Sequence, residues 1–264
     1  MKIAIAGKGG VGKTVIASII ARSLARAGYM TLAIDADESP NLALSLGVSQ
    51  EEAAGIVPVL ENEGLIKRKT GTGFSGVYNL NFSVDDIVRD FSISTPSGVY
   101  LLVMGVVRSA GAGCACAQNS LLRAMLHHLV VERDEAVVLD MEAGVEHLGR
   151  GTAEGVDRML IISDANKKSL LTALTISGMA HQAGIPHVEL VGNRVENSDQ
   201  YDIISAFARQ HGIPLSGIVP FDDAVKQSGI NGSSLLTLDG TPGVRAIENI
   251  TGQLTINDQK GGKQ

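Results

Sequence analysis

The chain has 264 residues, 44% of them hydrophobic and 19% charged, with 31 glycines and a formal charge of −6. That composition is that of a globular α/β protein with many tight turns, and its weakly acidic balance argues against nonspecific nucleic-acid binding. No apolar run reaches the roughly eighteen residues of a membrane span. The first strand begins at once without a signal-like segment, so the expected location is cytoplasmic. We expect one domain over 1–257 and a polar tail over 258–264 that lacks an amphipathic basic membrane helix.

Ile3-Ala4-Ile5-Ala6 reads as a short buried strand that feeds Gly7-Lys8-Gly9-Gly10-Val11-Gly12-Lys13-Thr14. An apolar helix follows over 15–24. Strand, loop and helix are the context that the pattern G-x-x-x-x-G-K-[ST] requires. Its small residues let the backbone N–H groups of Gly9, Gly10, Val11 and Gly12 approach a polyphosphate, with the helix N-terminus adding partial positive charge. Lys13 then reaches the β- and γ-phosphates, and the Thr14 hydroxyl ligates Mg²⁺.

Lys8 has no duty in its own loop. With it, the spelling from Lys8 to Thr14 resembles the deviant Walker A of the MinD, ParA and nitrogenase-iron-protein class of ATPases. The resemblance implies ATP and ADP as ligands, and a homodimer in which Lys8 crosses to the partner's phosphates. Val15 stands where many relatives carry a second Thr, so a hydroxyl contact to the α-phosphate is missing while the backbone N–H remains.

A second buried strand is expected over 31–35, ending in acids at the edge where ligands gather. Asp35-Ala36-Asp37-Glu38-Ser39-Pro40-Asn41-Leu42 resembles the first switch of this class. The match implies that Asp37 positions the attacking water and that Asp35 supports it or holds a Mg²⁺-bound water. The competing reading is a strand end that opens a turn. Helix is expected over 50–69, broken near 55–58 and ending in a solvated basic run, Lys67-Arg68-Lys69. The stretch 78–93 reads as loop with short strand pieces, and 99–107 as a central strand.

The loop over 108–116 carries both cysteines, Cys114 and Cys116. Leu121, Leu122, Met125, Leu126 and Leu129 then recur at helical spacing, which puts Cys116 near a helix N-terminus, where thiolate is favoured. In a reducing compartment this C-x-C reads as metal ligands or redox thiols rather than a structural disulfide, whose ring would be cramped. Two thiolates are too few for a soft metal site, but a symmetric dimer supplies four. The plainer alternative is two small buried apolar side chains.

A strand over 135–139 ends in Asp140-Met141-Glu142-Ala143-Gly144. In that layout the Asp holds Mg²⁺ through water and the Gly N–H senses the γ-phosphate. The continuation through Thr152 closely resembles the second switch of the CooC-type ATPases, which serve nickel insertion into carbon monoxide dehydrogenase and also carry an upstream C-x-C. That resemblance implies one Ni²⁺, or Zn²⁺, held between two chains by Cys114 and Cys116 of each. The implied client is a nickel enzyme, carbon monoxide dehydrogenase or acetyl-CoA synthase. His147 could add a ligand or stay solvated, and His127-His128 read as surface.

Strands are expected over 158–163, 187–193 and 215–219, with helices over 168–183, 199–211 and from 240. By the same resemblance Asn193-Arg194 matches the position whose Asn reads the adenine edge, and Pro220-Phe221-Asp222 the loop flanking the base. The expected fold is a doubly wound, mainly parallel α/β sheet of about seven strands with helices on both faces. ATP would close the dimer and hydrolysis reopen it, driving nickel delivery without a nucleic-acid or membrane partner. The alternatives are a MinD/ParA-type positioning ATPase, and an iron–sulfur-carrying ATPase, whose cluster cysteines usually lie far apart in sequence.

Overall fold

A computed structural model describes residues 1–37, 41–71, 84–105, 134–141 and 155–261 of the chain. In β1 (Lys2–Gly7), Ile3 and Ile5 alternate with Ala4 and Ala6, and all four are fully buried. A strand apolar on both sides must be covered on both sides. From β1 the chain passes through α1 (Lys13–Arg26), β2 (Met30–Ala36), α2 (Leu42–Ser45), α3 (Gln50–Ala54), α4 (Glu63–Thr70), α5 (Asp85–Phe91), β3 (Ile93–Ser94), β4 (Tyr100–Val103) and β5 (Glu135–Met141). It continues through β6 (Arg158–Ser163), α6 (Lys167–Gln182), β7 (His187–Val195), α7 (Ser198–His211), β8 (Leu215–Pro220), α8 (Asp223–Asn231) and α9 (Pro242–Gly261).

The strands form one sheet in the order β3-β4-β2-β5-β1-β6-β7-β8, parallel throughout except for β3. On one side Ile3, Ile5, Ala33, Val138 and Leu160 pack with Ile16, Ile20 and Leu24 of α1 and Ile247 and Ile250 of α9. On the other side Ala4, Ala6, Ile34, Leu139 and Ile161 pack with Leu170 and Ile176 of α6 and Ile204 of α7. The expected doubly wound sheet is therefore present, with eight strands among the described residues instead of seven. The addition is β3, two residues paired antiparallel to β4, too short to register as a periodic run.

Other expectations are corrected. The strand expected over 99–107 ends at Val103, where the Met104 N–H donates to the Asp35 carbonyl beside it. The expected loop contains α5; Val84, just before it, and Ile87 are buried while Val88 and Phe91 pack against the same core. Residues 84, 87, 88 and 91 keep helical spacing, but the polar residues around them dilute it over a longer window. Lys69 is not a solvated helix end: its Nζ lies 2.6 Å from the Asp86 carboxylate, joining α4 to α5. Helix α9 runs on to Gly261, into the stretch expected as tail.

Helix α1 supplies both a core face and, at its first turn, the phosphate loop, so its packing fixes the site. Ile20 is fully buried against the sheet. Ile20→Ala should cost about 2–5 kcal/mol of unfolding free energy in a urea titration; a loss below about 1 kcal/mol would mean that the helix is not clamped there.

Candidate functional site

Helix α1 starts at Gly12, whose φ of 98° and ψ of 24° lie in the left-handed region, with no side chain capping the first turn. By contrast α4, α6, α7 and α8 each begin with an Asn or Asp whose oxygen accepts from a first-turn N–H. An uncapped N-terminus leaves its N–H groups for an anion. Gly7 is constrained too, since a Cβ there would stand 2.4 Å from the Ile162 carbonyl oxygen. Lys13 is buried at only 6% exposure, while Lys8, Gly9 and Gly10 are exposed on the loop.

Beside this loop the register sets two acids in one row. Asp140 of β5 pairs with Ile5 of β1 and with Asp35 of β2. Strand alternation aims both carboxylates to the α1 side, because Ala33 and Val138, two residues earlier in each strand, belong to the α1 core. Both acids are fully buried. Asp35 Oδ2 accepts from the Leu42 N–H at 3.0 Å and Oδ1 from the Asp37 N–H at 3.2 Å, folding the first switch back on the strand end. Burial nevertheless pushes its carboxyl up to about 6.

Asp140 is pushed up to about 7, chiefly by burial; the Thr14 hydroxyl and the Lys13 ammonium hold it down in part, while Asp35 and Asp37 drive it further up. Neither Asp140 oxygen holds a hydrogen bond of ordinary geometry. A buried carboxylate with two orphaned oxygens, next to a Thr hydroxyl and a phosphate loop, is a donor set suited to a hard, oxygen-seeking cation such as Mg²⁺ or to its bound waters.

A cleft of about 450 Å³ opens on the other side of the loop. It brings together Gly12, Val15, Asn193, Arg194, Pro220, Phe221 and Asp222, all expected at the nucleotide. Its apolar walls also use Val225 and Ile230 of α8 and Ile247 of α9, which sequence reasoning missed. The available signal was the helix that follows Pro220-Phe221-Asp222. Asp222 sits in the wall but its carboxylate is engaged elsewhere: Oδ1 accepts from the Ala224 and Val225 N–H groups and Oδ2 from that of Gly243. Lys226 lies over the Phe221 ring, 5.7 Å from its centroid. Arg194 has a φ of 59°, a conformation that costs a non-glycine residue about 1 kcal/mol or more.

Gly144, Cys114, Cys116, His147, His127 and His128 lie outside the described residues, as do Glu38, Ser39 and Pro40. Among the described residues no helix is long and apolar enough to cross a membrane.

The model of the CobQ/CobB/MinD/ParA nucleotide-binding domain matches residues 2–235. This chain belongs to that family. The chain is thus a nucleotide-binding ATPase domain. An uncharacterized ATP-binding protein of Methanocaldococcus jannaschii is 40% identical over 231 residues, 86% of this chain and 88% of that one. The carbon monoxide dehydrogenase accessory protein CooC of Rhodospirillum rubrum is 39% identical over 240 residues, 90% of each chain. Among solved structures, the septum site-determining protein MinD from Pyrococcus horikoshii complexed with Mg-ADP superposes with a TM-score of 0.68 at 18% identity, over 96% of this chain and 95% of that one.

The raised carboxyls give this ATPase a pH signature. Both acids bind their proton more tightly folded than unfolded, so their contribution to stability is full below the ordinary value of 3.8 and is lost as pH rises through 6 to 7. Asp140→Asn cannot ionise. Without nucleotide it should therefore melt several degrees above the parent at about pH 8 and close to it at about pH 4. Differential scanning calorimetry checks this, and an equal gap at both pH values would refute it.

Proposed function

We propose that this ATPase is a nickel-delivering accessory protein for carbon monoxide dehydrogenase or acetyl-CoA synthase. The observation that carries the reading is the 39% identity to CooC across 90% of both chains. The C-x-C at Cys114 and Cys116, and the second-switch wording from Asp140 to Thr152, support it.

In this reading the backbone N–H groups of Gly9, Gly10, Val11 and Gly12 hold the phosphates, and Lys13 neutralises their charge. Thr14 directly and Asp140 through water would hold Mg²⁺, which would supply positive charge against the negative charge that develops on transfer. Asp37 orients the attacking water, with Asp35 fixing the turn that carries it. Gly144 reports the γ-phosphate. Asn193 and Arg194 take the base edge, while Pro220, Phe221 and Asp222 flank it. Lys8, exposed on the loop, reaches the phosphates of a second copy. Nickel is the cargo, held by two thiolates from each of two chains.

Two experiments test this. With a non-hydrolysable ATP analogue, Lys8→Ala should bind nucleotide as a monomer yet fail to dimerise in sedimentation. Asp37→Ala should dimerise and lose turnover by about a hundredfold or more, as expected when a water-positioning group is removed. A Lys8→Ala protein that dimerises normally would reduce the loop to a plain P-loop.

Nickel titration should give one ion per two chains, and Cys114→Ser should weaken binding at least tenfold. Binding that ignores Cys114→Ser would overturn the cargo site and favour a positioning ATPase. Deleting the gene and assaying which nickel enzyme loses its metal identifies the client.

A further inference from the structure

The Asn193 side chain does more than line the base cleft. Its Nδ2 donates to the Val11 carbonyl of the phosphate loop at 2.6 Å, across 182 residues of sequence. A carbonyl only accepts, so the partner must be the NH₂ end of the amide and its orientation is fixed by chemistry. The side chain is buried at 7% exposure, where such a bond is shielded from water. It also abuts the next residue of the loop, because a Cβ on Gly12 would stand 2.5 Å from the same nitrogen. The pairing of β7 with β8 shifts register between Gly192 and Val195, and Arg194 in that interval is left-handed. A strained backbone at this point persists only where its surroundings hold it.

We infer that Asn193 is a positioning residue for the phosphate loop, a latch that holds the Val11–Gly12 peptide in its left-handed turn before any nucleotide arrives. The inference rests on phosphate binding at this loop, but not on nickel delivery or on Asn193 reading adenine. The bond to Val11 uses one of the two Nδ2 hydrogens, so the other hydrogen and Oδ1 remain for a ligand. One side chain thus touches the phosphate loop and lines the cleft, so the two subsites share a member.

Amide hydrogen exchange of the nucleotide-free protein tests the latch directly. Asn193→Ala should exchange faster over residues 8–14, by about two- to tenfold, the range expected for one net hydrogen bond. Helix α6 should be unchanged. Asn193→Asp keeps the shape but sets an acceptor in place of the donor against the Val11 carbonyl, so it should exchange at least as fast over 8–14 and serves if the alanine variant folds poorly. Affinity provides a second readout. Magnesium tripolyphosphate, which has no base, should weaken by about two- to tenfold in Asn193→Ala and magnesium ADP by at least that factor, whereas Phe221→Ala should weaken ADP alone. Unchanged exchange over 8–14 would overturn the inference, as would faster exchange spread equally over α6.

Discussion

The parallel register of three adjacent strands, β2, β5 and β1, is the constraint on which the site depends. It sets Asp35, Asp140 and Ile5 in one row, one step below the phosphate loop. Because side chains alternate along a strand, a slip of one residue in β5 would turn Asp140 to the far side of the sheet and put an apolar neighbour in its place. The apolar alternation of both cores guards against that slip, since the same step would move Val138 and Leu139 into each other's layers. Fold specificity and site geometry therefore rest on the same pattern.

The site so built is incomplete by itself. Two acids are buried within one row, and burial opposes ionisation of both, with repulsion from Asp37 adding at Asp35 and repulsion from Asp35 and Asp37 adding at Asp140. Nearby lie an uncapped helix end, a buried Lys13 and a carboxylate with no hydrogen bond of ordinary geometry. Each of these would be costly in a purely structural region. On the proposed reading a cation and a polyphosphate would satisfy them together, in one binding event. Ligand contacts that relieve such defects also carry the largest differential between states, and that differential is what moves a conformational equilibrium.

How much of this was legible in the sequence depended on how local each signal is. The loop from Gly7 to Thr14, the strand ends at Asp35 and Asp140 and the central apolar runs could be read because each is spelled by consecutive residues. Helix α5 was missed because its four apolar positions are flanked by polar residues that average the period away. The hydrogen bond from Asn193 to Val11 could not be seen, since it depends on a register shift in β7 and on the left-handed Arg194, neither of which has a sequence signature. Asp222 shows another limit: it lines the cleft, but the three backbone N–H groups that occupy its carboxylate come partly from α9, twenty-one residues away.

The two-residue β3 has a further consequence. A parallel sheet ends in rows of unpaired backbone groups that invite addition of a foreign strand. At one margin β3 offers only Ile93 and Ser94, with the opposite polarity to the rest of the sheet. At the other margin β8 pairs irregularly, and Ile250 of α9 lies against Gly217 so closely that a Cβ would stand 2.7 Å from it. Neither margin is a long, straight template. Among the described residues, side-by-side addition of a foreign strand at either margin is thus disfavoured.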